Sequence, residues 1–427
     1  MSDGRVITEH ATCLGCGCAC DDIGVAVEGG RIVEARNACS LGRAWFGDGR
    51  VPDRVMVAGL DVEDEDALDT AARALVAARR PLVYLAPDLS CEAQAAAVAI
   101  ADSLGAGLDS VTAATAGGSV LASQERGRAG ATLGEIRNRA DVILFWGVDP
   151  AVRYPRFEER YAPRPVGVYL PEGRRSRMVI AVDVGDARGP ADADRRVAVG
   201  DADEVATLIA LGALVGEAPA SEGAGTAWDR ARELAAPLRA AKYAAIVADA
   251  EPGDGGPRDS GRAGALIALA QRLADTTRGA LVTLRAGGNR NGADAVMTWQ
   301  TGFPMAVDFA RGAPRYVPLR NDAATRADVA LVVGDAGLIP ANVLEALAEV
   351  RCVSVGPRAS EGVLASGENI VVDTGVAGIH EGGAALRMDD VALPLRPSLG
   401  GVRSAATTVR SLGQRVAALR AHAEAAR

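Results

Sequence analysis

A chain of 427 residues, 49% of them hydrophobic and 4% aromatic, is long enough for two or three globular domains. Its formal net charge of −9 argues against nucleic-acid binding, which usually requires a basic face. No segment reaches the roughly 18 consecutive apolar residues of a membrane span, and the first ten residues contain no apolar signal region. Because the seven cysteines are odd in number, we expect a cytoplasmic protein with thiols rather than a disulfide framework.

The first feature in chain order is a cysteine-rich segment, TCLGCGCACDDI, at residues 12–23. Three thiolates on one glycine-bearing loop, with a fourth from a short excursion, are able to surround a cube-shaped cluster. Thiolates are the ligands that a [4Fe–4S] centre requires. The spacing C-x2-C-x3-C-x18-C therefore predicts a site whose sulfurs converge within a few ångströms, with Cys18 pointing away. The predicted ligands are Cys13, Cys16, Cys20 and Cys39.

Two other interpretations of this segment stay open. Zinc prefers four tetrahedral ligands in two spaced pairs, and a C-x-C pair such as Cys18 and Cys20 is a poor zinc chelate. A loop that has lost its metal is the second alternative. In each case we expect residues 1–55 to form a small N-terminal cysteine domain.

Alternating helices and strands follow. Residues 64–80 and 91–106 have apolar side chains at helical spacing, and PLVYLA between them is a short buried strand. RADVILFWGVDP begins at Arg139, and the similar RADVALVVGDAG begins at Arg326. Each has an apolar run and then a glycine with a nearby aspartate, which is typical of a buried parallel strand ending in a ligand-facing loop. We expect two similar α/β lobes around a shared cleft. The alternative is that the repeated sequence is only a common pattern of buried strands and carries no information about a repeat.

Two segments rich in glycine, proline and polar residues are predicted to be loops. GEAPASEGAGTA at 216–227 predicts a joint, and AEPGDGGPRDSGR at 250–262 predicts a loop over a strand end. The expected domains after the cysteine region are a first lobe at 56–215, a second lobe at 226–395 and a C-terminal helical tail at 396–427.

Other chemistry finds little support in the sequence. The three histidines, His10, His380 and His422, lie near the chain ends, which disfavours a hydrolytic metal centre or a Ser-His-Asp triad. Cys91 and Cys352 are interpreted as small buried hydrophobic residues. RAGGNRNGADAV at 285–296 is either a glycine-rich cradle for a phosphate or pterin, or a plain surface loop.

The cysteine spacing ahead of a two-lobed α/β chain resembles pterin-dependent molybdenum or tungsten oxidoreductases of the formate dehydrogenase type. Within them it is most similar to the B subunit of formylmethanofuran dehydrogenase. The resembling stretches run in order from about residue 13 to 395: CGCACDDI, NACSLG, SVLASQERG, GEIRNRADVILFWGVDP, TWQTGFPMAVDFARGAPRYVP and, more weakly, GIHEGGAALRMDDV. The resemblance implies a molybdopterin-oxidoreductase fold with a vestigial pterin pocket lined by Thr115, Gly117, Gly118, Asn291 and Gly292.

One departure changes the function that the resemblance implies. The family has a metal-ligating cysteine or selenocysteine, then histidine, just ahead of a G-P-S-V-L segment. This chain reads TAATAGGSVLA there, with Thr115 and Ala116 at those two positions. A threonine hydroxyl does not replace a soft thiolate or selenolate on molybdenum or tungsten. The resemblance therefore implies a redox-silent branch without molybdopterin or tungstopterin.

That branch is similar to the B subunit of the formyltransferase/hydrolase complex of methylotrophic bacteria, which has four kinds of subunit. The complex moves a formyl group from tetrahydromethanopterin to a methanofuran-type carrier and releases formate during one-carbon oxidation. The resemblance implies that partner subunits perform the chemistry and that this chain is a non-catalytic scaffold. The alternative is the catalytic subunit of a molybdenum or tungsten formylmethanofuran dehydrogenase with oxygen ligation at the metal.

The last predicted feature is a basic segment at residues 153–177, which has seven arginines against three glutamates. Arginine binds carboxylates through two parallel hydrogen bonds. We expect this segment to dock an acidic surface, either on a partner subunit or on the glutamate-rich tail of the furan carrier. The alternative is a solvated surface loop.

Overall fold

The computed structural model describes residues 4–216, 223–251, 260–317 and 326–425. The chain forms two compact units. Unit 1 comprises Met1–Ala114, Gly287–Arg387 and Ala392–Arg427, and unit 2 comprises Thr115–Ala286 and Met388–Val391. Both units are assembled from segments that are distant in sequence, unlike the continuous lobes 56–215 and 226–395 that we expected.

Unit 1 begins with a three-stranded antiparallel sheet of Val6–Ala11, Ile23–Glu28 and Arg31–Arg36. Gly29 and Gly30 both have positive φ, as the tight turn between the second and third strands requires. The cysteine loop connects the first two strands. The short helix Ser40–Phe46 follows the sheet.

A nine-stranded sheet forms the centre of unit 1, and its five middle strands are parallel. Val329–Val333 is the fifth strand of the nine and is fully buried, which confirms the predicted central strand at 326–336. It pairs with Pro81–Leu85, so the chain after residue 287 completes a sheet begun before residue 115. The spatial order is Arg315–Tyr316, Val307–Asp308, Gly107–Ser110, Pro81–Leu85, Val329–Val333, Arg351–Gly356, Ile370–Asp373, Val55–Val57 and Leu60–Asp61.

The helices of unit 1 follow the apolar periodicity of the sequence. Ser90 accepts a hydrogen bond from the Ala93 N–H at the start of Cys91–Leu104, and Gly105 ends that helix with a φ of 66°. The C-terminal helix packs on Asp64–Ala77 and Cys91–Leu104 through buried apolar side chains. The predicted tail is thus a helix that belongs to unit 1. The other helices are Val111–Thr115, Arg290–Thr301, Ala341–Ala348 and Ala405–Ala425, the 3₁₀ turns are Ala336–Leu338, Ala359–Glu361 and Val363–Ala365, and a hairpin pairs Gly383–Leu386 with Ala392–Leu395.

Unit 2 contains an entirely parallel five-stranded sheet. Val142–Trp146 is its third strand and is fully buried, which confirms the predicted central strand at 139–149. The spatial order is Arg195–Val199, Met178–Val184, Val142–Trp146, Tyr243–Asp249 and Arg278–Leu284. The helices are Gly117–Arg126, Leu133–Arg139, Pro150–Arg153, Phe157–Arg160, Glu204–Val215, Thr226–Ala240 and Ser260–Ala274, with 3₁₀ turns at Gly173–Ser176 and Asp201–Asp203.

The α/β class with parallel sheets is therefore confirmed, and the two similar strand phrases lie in separate sheets. Most of the predicted joint (217–222) and of the predicted strand-end loop (252–259) lies outside the described residues. Among the residues that are described, no helix is long and apolar enough to span a membrane.

Candidate functional site

The cysteine loop is closed by backbone hydrogen bonds. The Cys13 N–H donates to the Cys20 carbonyl over 2.9 Å, and the Ala19 N–H donates to the Cys16 carbonyl over 3.0 Å. The Gly15 N–H donates to the Cys13 Sγ over 3.4 Å. Because these bonds fold the loop back on itself, thiols that are seven residues apart in sequence become neighbours.

Other thiols affect the electrostatic environment of Cys13. Burial is the main cause that raises the pKa of Cys13, and the neighbouring thiols of Cys20, Cys16 and Cys39 raise it further. A Cβ at Gly42 would lie 3.3 Å from the Cys13 Sγ and 3.9 Å from the Cys39 Sγ, so these two sulfurs approach one glycine. Cys20, Cys16 and Cys39 thus lie close enough to Cys13 to affect its pKa, and their role as co-ligands stays a prediction.

Four thiols grouped in this way have the donor chemistry of an iron–sulfur site. Tetrahedral zinc, with Zn–S bonds of about 2.3 Å, needs sulfurs about 3.8 Å apart. Across the described ranges, no three His, Cys, Asp or Glu side chains are placed to hold a metal ion. The thiols present suit an iron–sulfur cluster by donor type alone, and their convergence on one centre stays a prediction.

A second candidate site lies at the carboxyl ends of the parallel strands of unit 1. A cavity of about 320 Å³ is lined by residues that follow four of these strands, among them Asp88, Asp335, Arg358 and His380. A Cβ at Gly356 would lie 2.2 Å from the Gly334 carbonyl oxygen, so only glycine permits two strand ends to approach so closely. Ligands of open α/β sheets bind at this edge.

The cavity combines buried acids with basic and indole groups. The pKa of Asp88 is raised to about 7, mainly by burial and in smaller part by the nearby Asp335 carboxylate. Burial also raises the pKa of Asp335, against the opposing effect of Arg358. The Trp45 indole N–H is buried and has no hydrogen-bond acceptor within the described part of the chain. A small polar ligand with both acceptor and donor atoms suits this lining.

His380 is part of the framework of this cavity. Its Nδ1 accepts a hydrogen bond from the Val376 N–H over 3.1 Å. Its Nε2 lies 2.7 Å from the Gly49 carbonyl oxygen, so the ring proton is on Nε2. Burial lowers the pKa of His380, which favours this neutral ring. Both ring nitrogens of His380 are engaged by the backbone, so this side chain is part of the scaffold of the cavity.

The residues of the predicted pterin pocket fall in different units. Thr115 ends the helix Val111–Thr115, and Gly117 and Gly118 begin the next helix, all three in unit 2. Asn291, which is buried, and Gly292 are in the first turn of Arg290–Thr301 in unit 1. Their assembly into one pocket stays a prediction.

The glycine-rich loop before Asn291 is half-buried and packs against the cysteine loop. The Gly288 N–H donates to the Leu14 carbonyl over 2.8 Å. A Cβ at Gly287 would lie 2.7 Å from the Gly15 carbonyl oxygen, and one at Gly288 would lie 2.4 Å from that of Pro87. These glycines permit close backbone approach, so the interpretation of this segment as a plain surface loop is wrong.

Unit 2 also carries charged side chains at the carboxyl ends of its strands. Asp249 ends the strand Tyr243–Asp249 and pairs with Arg153 over 2.5 Å. Glu251 pairs with Arg285 over 2.5 Å, and both side chains are buried. Burial raises the pKa of Asp249, and the Arg153 guanidinium opposes this shift. The strand-end loops of both units are therefore polar, as the repeated phrase predicted.

The basic segment differs from the exposed arginine surface that we expected. Arg174 forms a two-bond pair with Asp194, each bond 2.9 Å long, and Arg164 pairs with Glu158. Arg177 is only 4% exposed. These charges are satisfied within unit 2, because Asp194 and other acids just outside the segment face it.

Sequence reasoning missed the cavity at the strand ends of unit 1. Asp335 was signalled by the glycine–aspartate pair after its strand, but Trp45 and His380 are far from it in sequence. Cys352 is buried and donates to the Leu347 carbonyl over 3.3 Å, as its interpretation as a hydrophobic residue allows. Cys91 is half-buried and accepts a hydrogen bond from the Asn289 amide.

The fold and the site define an α/β protein with two parallel-sheet units and an N-terminal loop of four thiols. Comparison with known proteins shows which family has these features. No family model matches the chain. It is 31% identical over 411 residues to the B subunit of tungsten-containing formylmethanofuran dehydrogenase 2 from Methanococcus maripaludis, covering 91% of this chain and 93% of the relative. The protein from Methanocaldococcus jannaschii is equally similar, at 31% over 410 residues, covering 91% of this chain and 93% of that relative. The chain belongs to the family of formylmethanofuran dehydrogenase B subunits.

Two further comparisons concern a bacterial complex. The chain is 29% identical over 329 residues to the B subunit of the formyltransferase/hydrolase complex of Methylorubrum extorquens, covering 75% of this chain and 85% of that relative. A chain in the crystal structure of that complex with methylofuran superposes with a TM-score of 0.70 and 25% identity, covering 86% of this chain and 99% of that one. The fold described above is thus similar to that of a subunit of the complex.

Proposed function

We propose that this chain is the B subunit of a formyltransferase/hydrolase-type complex and serves as its non-catalytic scaffold. The complex would move a formyl group from tetrahydromethanopterin to a methanofuran-type carrier and release formate, with the chemistry on partner subunits. The proposal is carried by Thr115, which stands where the resemblance places the metal-ligating cysteine or selenocysteine. The chain matches a B subunit of that family over 91% of its length.

The other thiols offer no replacement ligand. Cys352 is fully buried in the sheet of unit 1 and donates to a backbone carbonyl. Cys91 accepts from the amide of the buried Asn289 at 3.4 Å. The remaining five cysteines all belong to the N-terminal region. Molybdenum and tungsten centres of this family rely on a soft ligand, so we propose that the chain holds no molybdopterin or tungstopterin.

For the N-terminal thiols we propose a [4Fe–4S] cluster. Support comes from the grouping of Cys16, Cys20 and Cys39 around Cys13, and from the backbone bonds that shape the loop. When bound, such a cluster supplies one-electron redox chemistry or, in a chain without a redox partner, a structural cross-link. The chain's own contribution is the closed loop that presents the thiols.

A second candidate function is the catalytic subunit of a tungsten or molybdenum formylmethanofuran dehydrogenase. The relatives at 31% identity are tungsten-containing, which favours this alternative. It requires an oxygen ligand from Thr115 or from solvent in place of the thiolate.

Metal analysis of the complex purified without oxygen separates the two functions. The scaffold proposal expects formate release from the formylated furan carrier, iron and labile sulfide, and neither tungsten nor molybdenum. Tungsten or molybdenum at one atom per chain, with formate-dependent dye reduction, would contradict it. A chain that does not co-purify with any other subunit would contradict both functions.

A further inference from the structure

Exposed apolar side chains are concentrated on one loop of unit 2. Val166, Val168 and Tyr169 are 59%, 75% and 64% exposed, and Met178 is 40% exposed. Met178 begins its strand at the amino-terminal edge of the five-stranded sheet, opposite to the strand ends described above. Large apolar side chains grouped on a surface mark an interaction site.

This loop is held rigidly by a buried arginine. The Arg177 guanidinium donates to the carbonyls of Pro163, Pro165 and Arg137 over 3.0, 2.6 and 2.6 Å. A Cβ at Gly167 would lie 2.2 Å from the Arg137 carbonyl oxygen, so the loop lies directly on the helix Leu133–Arg139. The exposed apolar side chains are therefore presented in a fixed conformation, which lowers the entropy cost of binding.

A cavity of about 610 Å³ adjoins the loop and is lined by Tyr169, Tyr243 and basic side chains. The Tyr243 hydroxyl is buried beside the charged groups of Glu135 and Arg278. The cavity is large enough to receive protruding side chains from a partner.

The rim of this cavity is basic. Its acids are already engaged: Asp141 accepts two backbone N–H groups and Glu135 pairs with Arg278. The Arg139 guanidinium lies 4.8 Å from the centre of the Tyr169 ring. In the described ranges neither Arg139 nor Lys242 has a carboxylate partner.

We propose that Val166, Val168, Tyr169 and Met178, with the basic rim of Arg139 and Lys242, form the docking surface for another subunit of the complex. The inference rests on the proposed function, which requires such subunits. The partner segment would be apolar and flanked by carboxylates, which complement the rim. A second copy of this chain is disfavoured, because a two-fold interface through this surface would place the basic rim against itself.

The test uses the chain co-expressed with the other subunits of its complex. Val168→Asp and Tyr169→Asp should each weaken assembly by about 10-fold or more, as loss of a central apolar contact does. Val152→Asp is the matched control, because Val152 is 79% exposed but lies on Pro150–Arg153 at the other edge of the same sheet. It should assemble like the wild type. Unchanged melting curves would exclude unfolding as the cause.

A second arm tests the rim. Lys242→Glu should slow association and remove part of its salt dependence, because exposed charges steer encounter. Wild-type affinity in both Asp variants, or an equal loss of affinity in the Val152 control, would contradict the proposed docking surface but not the proposed function. A wild-type dimer of the isolated chain that Val168→Asp disrupts would overturn the choice of partner. A wild-type chain that joins no other subunit would overturn the proposed function as well.

Discussion

Replacement of Arg177 tests how the basic segment is built. Arg177 is 4% exposed and makes three hydrogen bonds to carbonyls of the segment and of the adjoining helix. Within the described residues no carboxylate pairs with it, and burial lowers its pKa. Its role is therefore to satisfy backbone acceptors, which a methionine of similar length does not do.

The expected loss of stability follows from the carbonyl oxygens that lose their hydrogen-bond donor when Arg177 is replaced. Each hydrogen bond to a charged group contributes about 1.5–3 kcal/mol, offset by several kcal/mol for desolvating the guanidinium. The Pro163 carbonyl is buried, whereas water reaches the other two in part. We expect Arg177→Met to lower the free energy of unfolding by about 3 kcal/mol, and Arg177→Glu to lower it further because it buries an anion against carbonyl oxygens.

Urea unfolding of the isolated subunit, followed by circular dichroism, measures this change. Arg175→Met is the matched control, since Arg175 is exposed and two residues away, and it should change stability by less than about 0.5 kcal/mol. A loss below about 1 kcal/mol for Arg177→Met would refute the assignment of a structural role.

Three further predictions concern the candidate sites. The pKa of Asp88 is raised to about 7 from 3.8, so the folded state favours its protonated form and stability should fall as the pH rises from about 4 to 7, with an upper bound near ~4 kcal/mol. Asp88→Asn should flatten that slope in melting experiments at stepped pH, and an unchanged slope would refute the assignment. Thr115→Ala should leave formate release by the assembled complex within a few-fold, since loss of an essential group costs ~10²-fold or more. Cys18→Ser should leave the iron content of anaerobically purified complex unchanged, whereas serine at any of the four predicted ligands should reduce it: Cys13, Cys16, Cys20 and Cys39.

The strands were predictable because they are buried in parallel sheets, which requires continuous apolar runs. Val142–Trp146 and Val329–Val333 follow this pattern, and both are central. The division into units was not predictable, because it depends on which distant strands pair. The pairing of Val329–Val333 with Pro81–Leu85 joins segments almost 250 residues apart.

The basic segment shows why a count of charges does not predict an exposed arginine surface. A net excess of arginine says nothing about acids that fold back from outside the segment. Asp194 lies 20 residues after Arg174, and its two carboxylate oxygens accept hydrogen bonds from the two terminal nitrogens of that guanidinium. Arg177 uses carbonyl acceptors, which no charge count includes. The apolar residues between the arginines carry the stronger signal for binding.

The position of the cysteine loop indicates what a cluster would do in the scaffold subunit that we propose. The loop is packed on the glycine-rich segment that starts the helix Arg290–Thr301, through the bond from Gly288 to Leu14. A Cβ at Gly15 would lie 2.8 Å from the Leu41 carbonyl oxygen, so the loop also lies against the helix that follows Cys39. Cross-linking the four thiols would therefore fix the cysteine loop in the shape that packs on the glycine-rich segment, and would tie it to Cys39 at the start of the following helix. That role is independent of Thr115, so the proposed loss of redox chemistry would not remove the reason to keep the thiols.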